Sequence, residues 1–254
     1  MIDFIKLFST FNNVKYYDVP HKYYVNDVQF TSVTTLLHKF TNPFDEDYWS
    51  EYKAKEYGKT KQEVLDMWKL ENKISTVKGS LVHKYAEDYI ANKVFDYPQE
   101  TVIKEFGSDI IKGSYDVSIK QFESFYNAAF GKLIPIKSEF IVYDLEYKIS
   151  GMLDQLFYNV KMNCLDIYDW KTNKEIKTVN QYQKMLLPVN HLDDCNYWEY
   201  SLQLNLYKWI IEKNTGIKIG NMCVIWLNQN NSDFQLFKIS DMQNEIQAIL
   251  KYLK

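Results

Sequence analysis

The feature that most restricts the fold is a block of three extended runs laid end to end: LIPIKSEFIVYD (133–144), EYKISGMLDQLFYN (146–159) and NCLDIYDWK (163–171). Each is rich in β-branched and aromatic residues and stops at a short polar turn. Turns this short join antiparallel neighbours, because a parallel crossover needs a dozen or more residues. The segments around the block change period. Helical spacing is predicted for 45–57, 60–72, 75–92 and 116–131 before it, and for 197–216 after it. The second of these opens with T-K-Q-E, a capping box of Thr60 and Glu63, and the last stops at Gly216, which allows a left-handed cap. Further strands are read at 221–228 and near 233–239, with a final helix from 240. Near the start, HKYYVNDVQFTS (21–32) reads as a hairpin turning at Asn26-Asp27, with Ser32 capping a helix through 33–40. Helices, a meander, a helix and a strand make an α/β (α+β) chain, its central mixed sheet flanked by helices. Residues 1–74 are expected to be a hairpin-plus-helices elaboration packed on a core of 75–254.

Composition bounds the function classes. At 254 residues and 46% hydrophobic content the chain can bury a large core, and it is too apolar to be disordered. It has no apolar run of eighteen residues, so no membrane partner is expected. The opening MIDFIKLFSTFNN lacks the basic and apolar regions of a signal peptide, and an intracellular site, cytoplasmic or nuclear, is predicted. Cys164, Cys195 and Cys223 are odd in number and scattered. They predict neither a disulfide framework nor an iron–sulfur cluster, and are read as small hydrophobes in a reducing compartment. All 30 basic residues are lysines, against 33 acids. Lysine holds phosphate as a point charge, whereas bidentate reading of guanine favours arginine. Any nucleic-acid binding should therefore use the backbone and select sequence weakly.

The chemistry-bearing residues sit at the ends of the predicted strands. Asp169 and Lys171 share a face of the third run, with Trp170 on the other, and the residues before them on that face, Leu165 and Ile167, are apolar. Such a strand starts in the core and ends by presenting an acid and an amine. Asp154 ends a similar apolar stretch in the preceding run. Two carboxylates from neighbouring strands suit magnesium or manganese, which want oxygen ligands. The triplet alone is weak: Glu51/Lys53, Glu71/Lys73, Glu146/Lys148 and Glu175/Lys177 repeat it. Only Asp169/Lys171 closes a buried-looking strand beside another strand bearing an acid. His83 and Glu87, and Gln203 and Tyr207, are each four apart on predicted helices. By themselves these pairs read as a half-exposed histidine beside an acid and as helix packing.

Taken in order, KGSLVHKYAE, SEF, SGMLD, LDIYDWKT and LQLNLY resemble the PD-(D/E)XK nuclease superfamily. They resemble most its RecB-type and lambda-exonuclease-type branch, which includes the mitochondrial genome maintenance exonuclease and viral members. The likeness spans about residues 75–227. It implies a restriction-endonuclease-like core. It also implies Mg2+ or Mn2+ held by His83, Asp154, Asp169 and the Trp170 carbonyl, with Lys171 acting on the attacking water. Gln203 would steady the lysine or the water, Tyr207 the substrate backbone, and Glu87 and Glu139 would support the ligands. Ser80, Lys174 and Lys177 are expected on substrate phosphates.

The activity so implied is that of a metal-dependent DNA nuclease. It would be an exonuclease of low sequence selectivity, serving repair, recombination or replication, at a viral replication site if the chain is viral. Single-strand-binding or recombination proteins would be its partners. The alternatives are a structure-selective endonuclease, an RNA-cutting nuclease, or a catalytically inactive nucleic-acid-binding scaffold.

Overall fold

In the computed structural model, which describes residues 2–17, 19 and 22–253, the three central runs form strands β4 (Leu133–Asp144), β5 (Ile149–Asn159) and β6 (Cys164–Lys171). Their turns are closed by side chains. Asp144 accepts the Tyr147 N–H at 3.0 Å and Asn159 accepts that of Met162 at 3.0 Å, with Lys148 and Asn163 in left-handed backbone at φ 51° and 50°. β4 and β6 both run antiparallel to β5. Helix α7 (Asn196–Thr215) then crosses over to β7 (Ile219–Trp226), which is parallel to β6, and β8 (Gln235–Ile239) folds back on β7.

The N-terminal part enlarges the same sheet. After α1 (Phe4–Thr10), strands β1 (Val14–Tyr17), β2 (Lys22–Val25) and β3 (Val28–Ser32) form a meander. Asn26 and Asp27, at φ 49° and 62°, make the tight turn expected of that pair; His21 of the predicted hairpin lies outside the described residues. β3 runs parallel to the start of β5, pairing Thr31 with Ile149 and Ser32 with Ser150. The result is an eight-stranded mixed sheet ordered β1-β2-β3-β5-β6-β7-β8, with β4 on the remaining edge of β5. β3 and β6 thus share one edge of β5 and leave its middle uncovered by backbone.

Side chains alternate between two cores. Ile167 and Val224 join the core beneath α1, α7, α2 (Val33–Leu37) and α8 (Gln243–Tyr252). Tyr168 and Ile225 join the one beneath α4 (Lys61–Ile90) and α6 (Lys112–Ala129). Leu202, Leu204, Leu206, Ile210 and Ile211 of α7 are all buried, as in a helix covered on several sides. Removing one, as in Leu206→Ala, belongs to the class of core changes costing about 2–5 kcal/mol. Among the described residues no helix is long and apolar enough to cross a membrane. Cys195 and Cys223 are buried, Cys164 is half-buried, and all three are free.

Ser32, Thr60 and Glu63 cap as predicted. The two helices expected at 60–72 and 75–92 are instead one, α4, thirty residues long. Ile74 and Val77 carry its apolar stripe across the junction into the core, and that packing overrides the weak propensity of Ser75 and Thr76. The expected division at 74/75 therefore falls inside a helix. α3 (Glu46–Tyr57) packs on the first half of α4, while α5 (Gln99–Phe106), α1 and β1 are elements the sequence reading does not contain.

Candidate active site

The ladder between β5 and β6 ends at Gln155–Tyr168. One residue further, a side chain replaces the backbone rung: Asp154 Oδ2 accepts the Trp170 N–H at 2.7 Å. Asp154 is thereby fixed at the uncovered middle of β5, only 8% exposed. Across β5 the pairing runs Ser138–Gln155 and then Phe140–Leu153, which sets Glu139 opposite Asp154. Glu139 has φ 47°, a left-handed conformation costing a residue with a Cβ about 1–2 kcal/mol. Strain of this kind collects at functional sites, and here it accompanies a carboxylate turned to a shared point.

His83 reaches that point from α4. Its Nε2 is 3.0 Å from the Trp170 carbonyl; a carbonyl only accepts, so this nitrogen carries the hydrogen and the free lone pair of a neutral ring lies on Nδ1. Nδ1 is 3.5 Å from Asp154 Oδ1 and 4.0 Å from Glu139 Oε1. One donor atom each from His83, Glu139 and Asp154 lie within 4.8 Å of one another. The Trp170 carbonyl, expected as a ligand, is here the acceptor that orients the histidine, the usual arrangement behind a metal-binding imidazole. The Trp170 ring points away, against Phe122 and Phe125.

Asp169 and Lys171 share a face as predicted. Asp169 is 1% exposed, with Oδ2 2.6 Å from Lys171 Nζ. The approach is that of an ion pair rather than an aligned hydrogen bond, so this buried oxygen meets no well-placed donor. Burial pushes the Asp169 carboxyl up to about 6, and Asp154 adds to the rise. Glu139 is pushed up to about 8 by burial and by Asp154. Burial acts to lower His83, but the Asp154 carboxylate outweighs it and the ring rises to about 9. For Lys171 burial is likewise outweighed, by Asp169 and then Asp154, which hold the ammonium charged. Crowded acids and an imidazole with donor atoms this close are a donor set that a divalent cation accepts, so the residues fit the implied metal.

The group opens into a cleft of about 480 Å³ lined by Tyr16, Ser80, His83, Glu87, Glu139 and Met152, among others. Glu87 is paired with Lys84 at 2.9 Å. Gln203 does not bond Lys171; its amide donates to the Tyr207 hydroxyl at 3.0 Å. Lys174 and Lys177 stand at the surface beside Glu71 and Glu175, at 3.1 and 3.8 Å. Sequence reasoning missed Tyr16, Lys78, whose ammonium donates to the Thr172 carbonyl at 3.1 Å, and Tyr200, whose ring lies against Lys171. Only Tyr200 left a signal, three residues before Gln203 on the same helix face.

Gly151 shows how tightly this region is built. A Cβ there would lie 2.5 Å from Cε1 and 3.1 Å from the hydroxyl of Tyr207, a buried ring with no room to yield. Gly151→Ala should destabilise the protein by about 1–3 kcal/mol, read as a fall in Tm of roughly 2–10 °C. An unchanged Tm would mean that the ring moves freely.

The metal-free cluster makes a second measurable prediction. Glu139 and His83 both titrate above their ordinary values, so the folded state binds extra protons, and stability is lost as pH rises through about 8 and about 9. Mg2+ or Mn2+ competes with those protons. It should raise Tm more at pH 8.5 than at pH 6, and Glu139→Gln should flatten the difference. Scanning calorimetry at both pH values checks this; an equal gain at both would contradict it.

No known family profile matches the chain, and no curated protein does. Among solved structures 21 chains match. One, described as "Crystal structure of SSO0001", is 10% identical over 69% of this chain and 84% of its own, at a TM-score of 0.30, a likeness too loose to carry function.

Proposed function

We propose that the protein is a Mg2+- or Mn2+-dependent DNA nuclease, hydrolysing phosphodiester bonds from an end with little sequence preference. The observation that carries the reading is the convergence of His83, the strained Glu139 and Asp154 on one point, with the Asp169–Lys171 pair closing the neighbouring strand. The order of motifs along the chain, which resembles the RecB-type nucleases, supports it. His83, Glu139, Asp154 and Asp169 would hold the cation. When bound, such a cation acidifies a water molecule and offsets charge on the phosphate.

The chain's own residues do the rest. Lys171, kept charged by Asp169, acts as a hydrogen-bond donor that orients the attacking water and the phosphate oxygen. It is not placed to take a proton. Asp154, locked by the Trp170 N–H, and His83, locked by the Trp170 carbonyl, hold their donor atoms still before substrate arrives, which is worth more than the same groups on mobile side chains. Lys78, Lys174 and Lys177 supply point charges for flanking phosphates, and Ser80 a hydroxyl at the cleft. With no guanidinium in the chain, contacts of this kind follow the backbone and weaken with salt. Three free cysteines suit a reducing intracellular compartment, cytoplasmic or nuclear, where repair, recombination or replication would use the activity.

The test is a digestion time course on end-labelled single- and double-stranded DNA and on RNA, with Mg2+, Mn2+ or EDTA. Metal-dependent shortening of DNA from one end is the expected result. Internal cuts would make the enzyme an endonuclease on the same site, and cleavage of RNA alone would change its substrate. Binding without cleavage under every metal would overturn the catalytic reading in favour of a scaffold.

A further inference from the structure

Lys171 needs something to aim it, because a four-carbon stem swings freely unless its end is held. Gln203, expected to steady the lysine or the water, donates its amide to Tyr207 and not to Lys171's side of the site. The ring of Tyr200, one helical turn earlier on α7, lies there instead, with Lys171 Nζ 4.8 Å from its centroid. That ring is itself anchored. Its hydroxyl donates to Asn173 Oδ1 at 2.9 Å, and the Asn173 carbonyl accepts from Trp226 Nε1 at 2.8 Å and Asn228 Nδ2 at 2.6 Å. The contacts close a ring through the chain: Lys171, the Tyr200 face, its hydroxyl, and Asn173 two residues beyond the lysine.

We propose that Tyr200, through its ring, is the positioning residue for the Lys171 ammonium, a role that rests on the nuclease reading above. Asp169 holds the ammonium on one side and the aromatic face on another, so its N–H groups point in a fixed direction. A cation over an aromatic face is attracted by the ring's quadrupole, and more strongly where water is excluded. Tyr200 and Lys171 are both half-buried. Taking the ring away leaves the ammonium on Asp169 alone, free to turn out of line with the substrate. A small misplacement of a reacting group is costly in rate even when binding is untouched.

The measurements use the full chain with two substitutions and two readouts. The first readout is NMR of protein carrying 13C-labelled lysine, with Lys171→Met to assign the signals. The Lys171 ε-protons should be shifted upfield by the ring in wild type and in Tyr200→Phe, and return to the ordinary lysine position in Tyr200→Leu. The second is single-turnover and steady-state cleavage. Tyr200→Leu should lower kcat by about ten- to thirty-fold with KM and the metal dependence unchanged. Tyr200→Phe, which keeps the ring and loses only one hydrogen bond, should stay within about fivefold of wild type. If Tyr200→Leu does not fold, Tyr200→Met provides the same contrast.

Three results would overturn the proposal: Lys171 signals that do not differ between wild type and Tyr200→Leu, a Phe variant as slow as the Leu variant, or a raised KM with kcat intact. A wild-type protein that cleaves nothing strikes the nuclease reading instead. That failure is recognisable, because the NMR signal reports the contact without turnover.

Discussion

Asp154→Asn should lower phosphodiester cleavage by about 10³-fold or more while leaving the protein folded. The substitution is chosen for its geometry. The Asp154 carboxylate does two jobs, accepting the Trp170 N–H at 2.7 Å and facing His83 Nδ1 at 3.5 Å. An asparagine carbonyl can still accept the N–H, so the rung that continues the β5–β6 ladder survives and the sheet keeps its register. What disappears is the negative charge beside Nδ1. That charge is the main force holding the imidazole above its ordinary range, and with it would go one of the proposed oxygen ligands of the cation. Cleavage and the metal-induced rise in Tm should therefore vanish together, with the metal-free Tm little changed. A variant that keeps its cleavage would remove Asp154 from the site. One that loses cleavage and also unfolds would mean that the carboxylate's charge beside His83 stabilises the fold itself.

Lys171→Met should be nearly as severe, about 10²–10³-fold in kcat, yet keep a metal affinity that returns above neutral pH. Methionine fills much of the same space but carries no donor. Asp169, 1% exposed, would then lack its cation and be pushed further up from about 6, so it takes a proton at neutral pH rather than remain a bare buried charge. The variant should show two separable signs: loss of turnover at every pH, and a metal affinity that recovers as pH rises and that proton leaves. Measuring metal binding by calorimetry between pH 6 and pH 9 distinguishes them. Full turnover in Lys171→Met would mean that the lysine is only the counter-ion of Asp169.

Much of this arrangement was legible in the residues. The Asn26-Asp27 turn, the three strands, the Thr60–Glu63 box and the stop at Gly216 are local chemistry, set by neighbours in sequence. So is the shared face of Asp169 and Lys171, which follows from strand alternation alone. Elements decided by distant packing were not legible. α1 has seven residues, too few for a period to declare itself, and forms because Leu7 is buried in the core of the sheet. β1, only four residues long, is held by its register with β2. Glu139 ranked as a supporting residue because nothing in SEF marks a strand residue with positive φ; its place opposite Asp154 comes from the register of β4 with β5. Gln203, expected to steady the lysine or the water, bonds Tyr207 and not Lys171. Choosing between Gln203 and Tyr200, on one helix face, needed the actual rotation of α7 against the end of β6.

The thirty residues of α4 join two surroundings that the sequence reading had set apart. Its second half is gripped in the core through Val82 and Ala86 and carries His83. Its first half stands with α3, whose Tyr48, Trp49 and Tyr52 rings are exposed. From Lys61 to His83 the helix spans roughly 33 Å, and an unbroken helix transmits torque over that distance. α4 is therefore a lever with its fulcrum in the core. A push of about 3 Å at the outer end corresponds to a turn of roughly 5° at His83, where the imidazole is held between the Trp170 carbonyl and the Asp154 carboxylate.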